Sequence, residues 1–164
     1  MRFRAIAAGV FAFGLGTPAA PSALAQDVAC ATWTVGMVED EGGEVLTAQA
    51  CSSDRPDAYL VISCFSGSLF VRYDLGLGAE ASPELDEVTD VTFSTGSDAV
   101  TIAMDYQAMD GMHAADAGLD DPLIQLLKAG DTVTISDVPG RYPVKTYSLE
   151  GSAVALDKLV AGCT

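Results

Sequence analysis

Positive charge is scarce in this 164-residue chain: eight lysines and arginines stand against 23 aspartates and glutamates, a formal net charge of −15. A nucleic-acid binder needs a basic face, and an anionic membrane surface attracts basic segments, so the charge argues against both partner classes. Histidine is scarcer still, with His113 alone. No Gly-x-Ser-x-Gly elbow accompanies it, and bridged cysteines would leave no thiolate, so nucleophilic catalysis has few parts to work with. The cysteines form no Cys-x-x-Cys pair, which argues against a zinc site. The acids lack the EF-hand spacing. No later apolar run reaches the roughly 20 residues needed to span a bilayer. What is present is 49% hydrophobic and 19% charged residues, the composition of a folded chain and too apolar for a disordered one. One domain is expected at this length.

Residues 1 to 25 read as a secretory signal peptide. Arg2 and Arg4 form the basic start, residues 5 to 15 are apolar and uncharged, and Pro18 and Pro21 end the run. Ala23-Leu24-Ala25 supplies the small-x-small cleavage pattern, so cleavage is expected after Ala25. Gln26 and Asp27 follow where a lipoprotein would carry cysteine. Removing Arg2 and Arg4 and no acid leaves six basic residues against 23 acidic ones, a mature charge of −17. The mature domain, residues 26 to 164, is expected to be soluble and periplasmic or secreted.

Its four cysteines, an even number in an exported chain, argue for disulfides. Two strands over 31 to 38 and 44 to 51, folded at Asp40-Glu41, pair residues whose numbers sum to 81 and set Cys30 opposite Cys51. Leu60, Ile62 and Cys64 share a strand face by period two, and Leu156, Leu159, Val160 and Cys163 share a helix face. Both cysteines face apolar surface, which predicts Cys64–Cys163 across the core. Further strands are expected over 59 to 65 and 69 to 74 around Ser66-Gly67, and over 88 to 94 and 99 to 106 around residues 95 to 98. Two more cover 132 to 136 and 144 to 149, joined by a turn from Asp137 to Gly140. Residues 76 to 87 and 107 to 119 read as irregular. Asp120 is the expected cap of a helix with Pro122 in its first turn and Gly130 past its end, and Ser152 the expected cap of the last helix. The fold class is therefore mainly β (α+β): an antiparallel twisted sheet or partly closed sandwich of about eight strands with two short helices, the C-terminal helix covering the sheet.

The stretch 122 to 135 (PLIQLLKAGDTVTI), then Tyr147-Ser148-Leu149-Glu150-Gly151-Ser152, Ala155-Leu156 and Leu159, resembles bacterial periplasmic proteins of the invasion-associated locus B type. Trp33-Thr34-Val35 is similar to their opening strand. Residues 60 to 64 (LVISC) with the terminal Cys163 are similar to a second periplasmic group, associated with type VI secretion. Glu150-Gly151-Ser152 departs from the first pattern, and the second usually has a basic residue before Cys64. The resemblance covers the last third of the chain and two short islands. It implies export, a β-rich fold and an accessory or binding role without known catalytic residues.

Met109, Met112 and His113 form the one chemically unusual cluster, with Met104 and Asp116 nearby. Thioether and imidazole suit copper, so these residues are the candidate metal ligands; the plain alternative is a loop with a solvent-exposed histidine. The acids at 39 to 44 and at Asp120-Asp121 read best as a solvated hairpin tip and a helix N-terminus. The strong negative charge is able to steer a cationic partner such as a basic envelope enzyme, and equally serves solubility. The leading expectation is a non-enzymatic, cofactor-free exported binding or accessory protein acting through its surface, through the acidic loops at 39 to 44 and 76 to 90. The alternatives are an inhibitor of a cationic, lysozyme-like secreted enzyme and a copper-binding protein.

Overall fold

The computed structural model describes residues 32–40, 42–53, 58–74, 83–84 and 87–164. The signal segment, Cys30 and most of the 76 to 87 loop lie outside the described residues. In chain order the elements are β1 (Thr34–Asp40), β2 (Gly43–Cys51), β3 (Tyr59–Phe65), β4 (Ser68–Asp74), β5 (Val88–Ser94), β6 (Ala99–Gln107), β7 (Met112–Ala117), α1 (Pro122–Ala129), β8 (Thr132–Asp137), β9 (Lys145–Ser148) and α2 (Ser152–Gly162).

The strands form one antiparallel sheet of nine in the order β1-β2-β3-β4-β7-β6-β5-β8-β9. The sheet curls into a half-barrel. Its second strand meets its last through a bridge between Ser52 and Tyr147, and Ser53 N–H donates to the Thr146 carbonyl at 3.0 Å. The period-two pattern decides which face the curl encloses. Leu60, Ile62, Leu69, Val71, Val91, Phe93, Met104, Val133, Ile135 and Tyr147 all point to the concave side and are buried there. Both helices close one end. α1 contributes Leu123, Ile124, Leu126 and Leu127 to the core, and α2 contributes Ala155, Leu156 and Leu159. Each fully buried aliphatic side chain stabilises by about 1.5 to 3 kcal/mol, so the helical lid is held mainly by this face. The buried Ser152 hydroxyl also donates to the Leu127 carbonyl at 2.7 Å, joining the start of α2 to the end of α1. The Cys64–Cys163 disulfide is present and fastens the end of α2 to β3. Cys51 is buried and disulfide-bonded.

Several details differ from the sequence reading. The β1–β2 register sums to 83, not 81, because Asp40 pairs with Gly43, which stands at φ 115°. A slip of two keeps every side chain on its face, but it puts position 32, not 30, opposite Cys51. Residues 107 to 119 contain β7, which sits in the middle of the sheet between β4 and β6. Its Ala114, Ala115 and Ala117 give little strand signal because alanine is small and weakly β-forming; Ala115 and Ala117 stand opposite the buried Val71 and Leu69 of β4. The cap of α1 is Asp121, whose carboxylate accepts from Leu123 N–H at 2.8 Å, one residue later than expected. The cap of α2 is Gly151 in the left-handed region at φ 82°, so Ser152 is already helical. The hairpin at Ser66-Gly67 is as expected, with both residues at positive φ, the geometry that suits a two-residue turn.

Candidate functional site

The convex face of the sheet carries a groove of about 350 Å³ beneath the β1–β2 hairpin. Its floor is Thr47, Gln49, Val61 and Arg72, and its walls include Val38, Glu39, Asp40, Tyr59 and Met112. Strand alternation sets this composition, since Gln49, Val61 and Arg72 stand side by side across β2, β3 and β4. Arg72 lies over the Phe70 ring at 5.6 Å and is flanked by Asp40 at 3.8 Å and Asp110 at 3.7 Å. Its Nη2 donates to Ser63 Oγ at 3.4 Å, and that hydroxyl shares a 3.0 Å hydrogen bond with Thr47. The guanidinium is therefore matched by two carboxylates. With Glu39 added, the groove and its rim carry three negative charges against one positive. Tyr59 and Val38 are exposed and Val61 is buried, so an apolar strip runs beside the acids. Such a surface suits a cationic group on an apolar stem.

The structure separates the three expected metal ligands. Met109 stands on the turn between β6 and β7 and is 91% exposed. Met112 faces the groove. His113, its neighbour on β7, points to the opposite face and is fully buried. Alternation along a strand forbids adjacent residues from converging on one ion, so Met112 and His113 do not share a site. Among the described residues, no group of three or more His, Cys, Asp or Glu side chains is placed to hold a metal.

His113 is no solvent-exposed loop residue. It stacks on Tyr73, with ring centres 5.6 Å apart and planes at 17°, and touches the rings of Tyr106 and Tyr142 at 5.6 and 5.5 Å. Neither ring nitrogen has a hydrogen-bond partner among the described residues. Burial pushes its pKa below the ordinary value; nearby Glu87 opposes this, while Arg141 adds to it. These groups plug the end of the half-barrel opposite the helices. There Tyr142 Oη and Arg141 Nη2 both donate to Glu87 Oε1 at 2.7 Å. Asp137 accepts from the backbone N–H groups of Arg141 at 2.8 Å and Tyr142 at 3.0 Å. Burial alone would raise the Glu87 carboxyl, but the hydrogen bonds from Tyr142 and Arg141 hold it below the usual range. Burial, then the same hydrogen bond, pushes the Tyr142 phenol up to about 12. This ensemble latches the loop after β8 to the start of β5. The sequence reading missed it; the one local signal was Asp137 followed by Gly140, which marks the turn but not its partner Glu87.

Neither family models nor characterised proteins match the chain by sequence. Its fold, however, has a solved counterpart. The chain is similar to invasion associated protein B from Bartonella henselae. The likeness covers 80% of this chain and 92% of that protein, with a TM-score of 0.52 and 15% identity. At that identity the likeness establishes a shared fold alone. It agrees with the fold that the invasion-associated locus B resemblance implied.

Proposed function

We propose that this is an exported, non-enzymatic accessory protein that binds a cationic partner through the groove beneath the β1–β2 hairpin. The observation that carries the reading is the groove itself, where Glu39, Asp40 and Asp110 border an apolar strip of Val38, Tyr59 and Val61. Export is supported by the leader-like residues 1 to 25 and by the Cys64–Cys163 disulfide, which belongs in an oxidising compartment. No helix among the described residues is long and apolar enough to cross a membrane. We assign the second bridge to Cys30 and Cys51. The non-enzymatic reading is supported by the enclosure of His113 among three tyrosine rings. Invasion associated protein B lends the fold to this argument, not a partner. Inhibition of a basic secreted enzyme is the special case in which the exposed hairpin enters that enzyme's cleft.

The test is calorimetric titration of the mature protein with a basic lysozyme and with the same lysozyme acetylated on its lysines. Binding is expected for the basic form, weakening as salt rises from about 0.05 to 0.3 M. Glu39→Lys with Asp40→Lys should lower the affinity about tenfold or more. Equal binding by the charge-reversed variant, or no binding of the basic probe, would sink the reading.

A further inference from the structure

Strand β1 is an open edge of the sheet, paired with β2 alone among the described residues. Edge strands are normally blocked by proline, lysine or a bulge. β1 has no proline, lysine or bulge, and its charges are confined to Glu39 and Asp40 at one end: its sequence is TVGMVED, and its register with β2 runs without a break from Thr34↔Gln49 to Asp40↔Gly43. Six of its seven residues are exposed, including Met37 at 56% and Val38 at 42%. Half of the backbone groups of such a strand point away from β2; just before β1 the outward Trp33 N–H is taken by the Glu150 carbonyl, and along β1 itself no described strand pairs with them.

The side chains on this edge say what kind of strand fits. Glu39 stands directly opposite Glu44, and like charges in that position repel. Asp40 extends the negative end. Toward the middle of β1 the surface is apolar, with Met37, Leu46 and the exposed Phe65 lining one shallow trough. We propose that β1 accepts an extended basic segment of a partner protein as an added strand, cationic side chains beside Glu39 and Asp40 and apolar ones beside Met37 and Val38. This rests on the cationic-partner reading above and adds the mode of binding. A second copy of the chain fits the edge poorly, because it brings the same acids and the same large negative charge.

The experiment titrates the mature protein with a blocked seven-residue peptide of three lysines followed by four valines, which on antiparallel addition sets lysines beside both Glu39 and Asp40 and valines beside Met37 and Val38. Two derivatives carry N-methyl groups, each on one set of alternate amides, and a third has glutamate in place of lysine. Hydrogen exchange of the β1 amides is read alongside affinity. The parent peptide is expected to bind and to protect alternate β1 amides. One N-methylated set should bind at least about tenfold more weakly and the other nearly as well, since one peptide edge faces β1. The glutamate peptide should not bind. Equal binding by both N-methylated sets, with β1 exchange unchanged, overturns strand addition. If Glu39→Lys with Asp40→Lys still abolishes that binding, the cationic-partner reading survives. If neither peptide nor basic lysozyme binds, both fall. Protection of β1 that grows with protein concentration and needs no peptide assigns the edge to a second copy and overturns the proposal.

Discussion

Replacing Cys64 and Cys163 together by alanine opens a bridge that spans 99 residues of sequence. In the chain-entropy account, a loop of about 100 residues contributes about 4.7 kcal/mol by restricting the unfolded chain. The two lost sulfur atoms add less than about 1 kcal/mol of burial. For a domain of this size each kcal/mol moves the thermal midpoint by about 3 °C, so the variant should melt about 15 °C lower. The effect should also be local. Cys163 caps α2, and the preceding Gly162 lies so close to Leu46 that an added Cβ would come 2.5 Å from its Cδ2. Without the bridge, the last turn of α2 should lift from β2 and exchange its amides faster, while Leu156 and Leu159 keep the first turns docked. Scanning calorimetry of the double variant, with Cys51 left intact, measures the first effect, and hydrogen exchange measures the second. A midpoint drop of about 3 °C or less would refute the loop-entropy reasoning and leave the apolar face of α2 as a sufficient fastening.

Other outcomes follow from single groups. His113 has a folded-state pKa below its ordinary 6.5, so the native state binds fewer protons than the unfolded one. Its contribution is complete above that value and is lost as pH falls through the lowered one. Urea unfolding at pH 7.5 and 5.5 should show acid destabilisation that His113→Leu flattens; an unchanged slope would count against the burial argument. Asp121→Ala should cost about 1 kcal/mol by removing the cap of α1, whereas Asp120→Ala should change stability little; chemical denaturation ranks the two. Ser152→Ala should cost about 1 to 3 kcal/mol by leaving the buried Leu127 carbonyl without its donor, and a near-neutral urea midpoint would mean that the lid does not depend on it. Tyr142→Phe should loosen the latch on Glu87 and raise amide exchange in residues 138 to 144 without melting the helical end.

Much of this protein was determined by local sequence. Apolar alternation at Leu60, Ile62, Leu69, Val71, Val91 and Phe93 chose the buried face of each strand, because period two leaves no other face to bury. Ser66-Gly67 set a tight turn, Pro122 and Gly130 framed α1, and the facing of Cys64 and Cys163 was legible from two periodicities. The tertiary structure decided what no window of residues contains. The alanines of β7 carry almost no strand signal, and their place is set by pairing with β4 on one side and β6 on the other. The same placement turned His113 from an expected loop residue into a core residue among Tyr73, Tyr106 and Tyr142, and sent Met112 to the other face. The groove, the latch on Glu87 and the open edge of β1 likewise depend on which strands become neighbours. Local physics sets the face each side chain takes, and the packing of distant strands sets what that face meets.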